Sequence, residues 1–435
     1  MSKTPVAAAE DSVRGGRAYY VLVALLLGLI AGAGAAALGD GLREPALQAS
    51  NMVGGLWLNA LKMTVIPLIV ALLVTGVAKG AEAARAGRIA GRSVVWIVVV
   101  CTLSAIFGTL MIQFLLGLFP LPEGAAQALR AGLAGIDTAT ASPTVPGVAD
   151  FFRGIIPENV VAAAANGDVL PLVVFSLLFA LAAARIPETG RRALVGLYDA
   201  VGDASLVVNG WVLWIAPLGV FALAFTVGAS AGGAAFAALA HYIVLISAIG
   251  VLWATLVGYP LAILAGGISL GSFTRSMISP QSVAISTRSS LASLPAMLAA
   301  ARVMGVREQV ADVTLPLSVA LFRATGPAMN VAVAFYVAHW LGFEPSVSQM
   351  IAATAVAAVI SYGAVSLPGE VSFISSIAPI AMALGVPIAP LALLVAVEMV
   401  PDIFRTLGNV TLDVAVTTVV NHSTREKQGR NLNAS

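Results

Sequence analysis

The chain has 435 residues, of which 59% are hydrophobic and 10% charged, with a mean hydropathy of +0.96. Soluble domains carry roughly a quarter charged residues, and disordered chains have low hydrophobicity and high net charge, so both classes are excluded. A net charge of +2 without a basic run argues against nucleic acid as a partner and leaves an all-α polytopic membrane protein.

In chain order, apolar stretches long enough to cross a bilayer fall near 19–38, 52–78, 93–119, 169–184, 205–228 and 237–266. Two more lie near 313–342 and 387–418, while 271–300 and 346–385 are apolar but interrupted by Ser, Gly and Pro. The first stretch follows no cleavage-site pattern and is expected to be retained. Leu121 to Asn159, rich in Gly and Pro, reads as an external loop. Basic residues collect in alternate gaps: Lys3, Arg14 and Arg17; Lys79, Arg85, Arg88 and Arg92; Arg185, Arg191 and Arg192; Arg302 and Arg307; and the tail. The positive-inside bias then places both termini in the cytoplasm, which eight crossings satisfy. The protein is expected in the inner (plasma) membrane.

Charge inside apolar segments is costly, about 2.5–3.5 kcal/mol at a helix centre. The first 265 residues nearly avoid it. The last 170 hold Arg275, Arg288, Arg323, Arg405, Glu370, Glu398, Asp402 and Asp413. Structural ion pairs are the plain explanation, but here the charges coincide with broken segments. Glu398, Asp402, Arg405, Thr406, Asn409 and Asp413 are spaced for one helical face. Such a face can bind a zwitterion with a second carboxylate: Arg holds a carboxylate bidentately, Asp receives an ammonium, and Asn contacts the remaining carboxylate.

Thr287–Pro295 and Ser361–Gly369 share Ser-Leu-Pro, at 293–295 and 366–368. Matched broken segments in two halves point to a transporter's binding site. Between them, Gly326 and Pro327 predict unwinding after Arg323. Gly267–Gly271 fits a hydrolase nucleophile elbow, but the chain has three histidines and no strand pattern to complete it. One cysteine, Cys101, and scattered histidines make no metal site, no Walker sequence occurs, and no cofactor is expected.

At these residues the sequence resembles the glutamate transporter family, the dicarboxylate/amino acid:cation symporters. The matches include Lys62-Met63 with Pro67, Asn166-Gly-Asp-Val-Leu-Pro171, Ala216-Pro-Leu-Gly-Val-Phe-Ala222, Thr287-Arg-Ser-Ser290 and the run Asp402 to Asp413. The resemblance implies eight spans plus two re-entrant helical hairpins at roughly 271–300 and 346–385, inverted repeats, a homotrimer and an elevator-type movement. It divides the chain into a cytoplasmic segment 1–18, scaffold spans 19–78, a transport-domain span within 79–119, external loop and scaffold spans 120–234, the main transport domain 235–420 and a cytoplasmic tail 421–435.

Carried over by position, Arg405 holds the substrate side-chain carboxylate, Asp402 the ammonium and Asn409 the α-carboxylate. Thr406, Ser289, Ser290, Gly326 and the second hairpin's tip at Leu367–Gly369 line or close the site. Acidic amino acids are the first choice, because a C4-dicarboxylate has no ammonium for Asp402; dicarboxylates are the runner-up, and an ion channel is the alternative from another class.

The departure is in span seven. Phe322, Arg323 and Ala324 stand where the family has Asn, Met and Asp, whose oxygens help bind sodium. Val100-Cys101 replaces a Thr-Ser pair, and Ala364 an expected Thr. Asn409 and Asp413 remain as a residual cation site. The expectation is that Arg323 replaces a bound cation, with Glu398, Asp402 and Asp413 as candidate partners, while Arg288 lies at the first hairpin's tip. A permanent charge cannot cycle, so a proton on Glu398 or Glu370 would drive transport, because burial favours a neutral carboxyl. Uncoupled exchange is the alternative.

Overall fold

The computed structural model describes residues 5–35, 40–85, 87–121, 124, 155–231, 234–363 and 369–432, and among these all regular structure is helical. The helices are α1 (Pro5–Ala35), α2 (Asp40–Arg85), α3 (Arg88–Leu118), α4 (Val160–Asn166), α5 (Val169–Ala183), α6 (Glu188–Trp214), α7 (Ala216–Ala231) and α8 (Ala234–Trp253). They continue with α9 (Leu270–Thr287), α10 (Ser290–Val303), α11 (Glu308–Leu321), α12 (Gly326–Leu341), α13 (Val347–Gly363), α14 (Gly369–Leu384), α15 (Ala389–Leu394) and α16 (Met399–Leu432).

Apolar helices lie at all eight expected positions. Among the described residues, five helices could cross a membrane by length and composition: Arg43–Ala84, Arg88–Leu118, Ala235–Ala265, Glu308–Leu341 and Met399–Thr424. The α6–α7 pair, bent by 56°, makes a sixth if it is one span. Tyr19–Ala35 and Val169–Ala183 are shorter apolar helices. The expected external loop lies largely outside the described residues.

α1 packs on α7, and α2 on α5, α6 and α7. One buried cluster runs from these helices, through Trp57 and Leu223, into α8, α12 and α14. A second gathers Phe273, Met277, Leu315, Val410 and Leu412 from α9, α11 and α16. α12 is apolar all round and accordingly buried over nearly its whole length. α3 lies against α11, α12 and α13. Its buried hydroxyls bond across those contacts: Ser93 to Thr314 at 3.0 Å, Ser104 accepting from the Ala328 N–H at 3.1 Å, and Thr109 to Thr354 at 2.8 Å. Within a bilayer such bonds substitute for absent water.

The two interrupted segments are helix–turn–helix pairs, α9 against α10 and α13 against α14. In the first, two residues turn the chain. Arg288 takes a left-handed conformation (φ 50°), and Ser289 caps α10 by accepting from the Ala292 N–H at 3.2 Å. The second pair's turn, including Ser366–Pro368 and Ala364, lies outside the described residues.

Candidate functional site

α16 runs against α3, α8, α9, α10 and α11. Close approach is possible because small residues face it. A Cβ on Gly258, which lies where α8 continues as π-helix around Pro260, would stand 3.3 Å from Thr411 Cγ2. Gly408 does the same for the α11–α12 break, where an added Cβ would meet Thr325 Cγ2 at 3.1 Å.

That break is the one expected from Gly326 and Pro327. α11 ends at Leu321, Phe322 is extended, and α12 begins at Gly326 with Pro327 in its first turn. Asn409 Oδ1 accepts the Thr325 backbone N–H at 2.8 Å, fastening the unwound stretch to α16. This leaves the Asn409 amide NH₂ to serve as a donor.

The last span differs from the sequence expectation in one respect. It is not continuous across 387–418: α15 ends at Leu394, residues 395–398 form turns, and α16 starts at Met399. Pro401 falls in the first turn of α16, the helical position where proline is best tolerated. Glu398 therefore sits just before the helix rather than on its face, yet still reaches Arg405.

Arg405, 8% exposed, forms an ion pair with Glu398 through Nη1, and the same nitrogen bonds Asp402 Oδ1 at 3.4 Å. Glu398 Oε2 accepts from the Tyr242 hydroxyl on α8 at 3.0 Å. Tyr242 was not anticipated; the available signal is that a tyrosine within an apolar span needs a partner for its hydroxyl. Among the described residues, Arg405 Nε and Nη2 are buried with no hydrogen-bond partner. These two donors are one edge of the guanidinium fork, the geometry that takes a carboxylate bidentately.

Asp413 is fully buried, and among the described residues neither of its carboxylate oxygens has a hydrogen-bond partner. Arg323, partly exposed, lies in its field and in those of Asp402 and Arg405. Among the partners considered from sequence, Asp402 and Asp413 are the carboxylates that act on Arg323, whereas Glu398 is engaged by Arg405 and Tyr242. The Arg323 backbone lies beside the buried Cys101 sulfur, next to buried Val100.

The structure thus gathers Arg405, Asp402, Glu398, Asn409, Asp413 and Arg323 around one helix and one break. Thr406 turns its hydroxyl back to the Asp402 carbonyl at 2.9 Å. Gly326 is buried at the start of α12. Ser289 and Ser290 occupy the α9–α10 tip beside Arg288, and no hydrogen bond joins them to Arg405 among the described residues. Gly369 opens α14; Leu367 and the Glu370 side chain lie outside the described residues.

Residues 18–423 match the model of the sodium:dicarboxylate symporter family. The chain belongs to that family. Similar proteins include the proton/glutamate-aspartate symporter of Escherichia coli (strain K12), 26% identical over 90% of this chain and 89% of that protein. A proton/sodium-glutamate symport protein of Bacillus caldotenax is 27% identical over 91% of each chain. A C4-dicarboxylate transport protein of Laribacter hongkongensis (strain HLHK9) is 26% identical over 92% of this chain and 88% of its own. The sodium:dicarboxylate symporters are transporters rather than enzymes, and the apolar helices here fit a multi-pass membrane member of that family.

Proposed function

We propose that the protein is a secondary transporter importing aspartate and glutamate across the inner membrane, without sodium and coupled to protons. The observation that carries the substrate assignment is the open edge of Arg405. Its Nε and Nη2 are buried and have no partner among the described residues, while Nη1 is held by Glu398 and Asp402. A side-chain carboxylate fits that edge, the Asn409 NH₂ takes the α-carboxylate, and Asp402 takes the ammonium. A C4-dicarboxylate is the second reading; the name of the Laribacter relative favours it, and it would leave Asp402 without a cationic partner from the substrate.

Sodium independence rests on Phe322, Arg323 and Ala324 in the break and on Val100-Cys101 in α3, which supply no side-chain oxygen. Arg323 would provide, permanently, the positive charge that a bound cation provides elsewhere in the family, facing Asp413 and Asp402. Because guanidinium stays charged, the cycling ion is assigned to a proton, with Glu398 as the first carboxyl to test and Glu370 the second. In this account eight spans and two re-entrant hairpins assemble as a homotrimer with both termini cytoplasmic. Residues 235–420 and the span within 79–119 then move as an elevator against the scaffold.

Counterflow of labelled aspartate in proteoliposomes tests the reading. Exchange at zero sodium, competed by glutamate more strongly than by succinate, supports it. Preference for succinate selects the dicarboxylate reading, and absence of exchange overturns transport of either.

A further inference from the structure

The corner between α2 and α3 carries a basic groove lined by none of the residues gathered around Arg405. A groove of about 540 Å³ opens there, lined by Ala84, Gly87, Arg88, Gly91, Arg92 and Trp96, with Val95 at its edge. Arg88, Arg92 and Trp96 are spaced four apart, so they stack along one face of α3. Among the described residues neither arginine has an ion pair, and Arg92 Nη1 is buried without a hydrogen-bond partner. The glycines leave the backbone accessible at the start of α3, where no side chain caps the first-turn N–H groups. A 31-residue helix adds its positive dipole end at the same place.

Below the arginines the same face turns apolar and remains exposed: Val95 (61%), Val99 (40%), Leu103 (50%) and Ile106 (44%). Val95 to Ile106 spans roughly 17 Å of helix axis, close to the ~15 Å of one leaflet's hydrocarbon. Trp96, next to Val95 where the charged part of the face gives way to the apolar part, is of the residue type enriched at membrane–water interfaces. A doubly charged cradle above an acyl-length apolar track has the chemistry of an anionic phospholipid.

We propose that this corner binds the phosphate headgroup of an anionic phospholipid between Arg88 and Arg92, with an acyl chain along Val95, Val99 and Leu103. Arginines that merely fix topology would not form a saturable site. A free phosphate shares the headgroup chemistry but makes no use of the apolar track.

The test is titration of the detergent-solubilised full chain with phosphatidylglycerol, read as bound lipid by native mass spectrometry. The expected result is a saturable lipid, weakened about tenfold or more in Arg88→Gln/Arg92→Gln. Binding should persist in Arg191→Gln/Arg192→Gln, a basic pair on another helix, and circular dichroism establishes that each variant keeps its helix content. Retention in Arg88→Lys/Arg92→Lys at reduced affinity agrees with charge-assisted binding. Equal binding by the Gln variant, equal loss in the 191/192 variant, or equal occupancy by phosphatidylcholine would overturn the site. Displacement by millimolar inorganic phosphate would overturn the lipid and identify a soluble anion instead.

Discussion

The Tyr242 hydroxyl donates to Glu398 at 3.0 Å, and Glu398 in turn holds Arg405. α8 therefore orients the arginine on α16 through a carboxylate placed at the break between two helices. Tyr242→Phe removes one hydrogen bond to a charged group, worth about 1.5–3 kcal/mol. Thermal unfolding in detergent should register that loss while helix content is unchanged. An unaltered midpoint would mean that the bond contributes nothing to the fold.

If the proposed site is right, Asn409 has two separable duties: its oxygen accepts the Thr325 N–H, and its NH₂ is assigned to the substrate. Asn409→Asp keeps the acceptor for Thr325 and removes the donor, so aspartate binding should fall more than the unfolding midpoint does. The new buried carboxyl accounts for the part of the destabilisation that Asn409→Ala lacks. Asn409→Ala loses both and leaves the Thr325 N–H unsatisfied, adding about 1–3 kcal/mol of destabilisation. Unfolding midpoints and binding isotherms for the two variants read the duties separately, and aspartate binding retained by Asn409→Asp would contradict the division.

Arg323 and Asp413 should be coupled. Asp413 is fully buried and lies in the field of the partly exposed Arg323, so removing Arg323 leaves a buried carboxylate without that compensating charge. Arg323→Met is expected to destabilise strongly, and Asp413→Asn added to it should recover much of the loss. A double-mutant cycle of unfolding free energies measures the interaction, and strict additivity would show that the two side chains do not compensate one another.

If a proton is the cycling ion, uptake at zero sodium should follow an imposed inward pH gradient and ignore a sodium gradient. Glu398→Gln should abolish the response to the gradient while leaving aspartate exchange measurable. A gradient response that survives both Glu398→Gln and Glu370→Gln would remove the two carboxyls from the coupling role.

The parts of this arrangement that were legible in the sequence are those written locally. Gly326 and Pro327 announce the α11–α12 break, and the spacing from Asp402 to Asp413 places the polar side chains along one helix. The break before α16 was also written locally, in Pro401, but Val395–Glu398 contains no Gly or Pro and reads as continuous apolar span. The Tyr242–Glu398 bond joins residues 156 apart in the chain, and the Asn409–Thr325 cap joins residues 84 apart. Both depend on helix packing, which periodicity does not encode. The same holds for Arg323: sequence supplied three carboxylates, and the packing directs it to Asp402 and Asp413 while Glu398 is taken by Arg405 and Tyr242.

The central claim is that Arg405 receives the substrate's side-chain carboxylate in a site that needs no sodium. Calorimetric titration of aspartate in sodium-free buffer, into the parent protein and into Arg405→Ala, tests it most directly. The account predicts saturable binding by the parent and at least tenfold weaker binding by the variant, since a charged hydrogen bond is worth about 1.5–3 kcal/mol. Strict dependence of the parent on sodium, or equal affinity in Arg405→Ala, would contradict it.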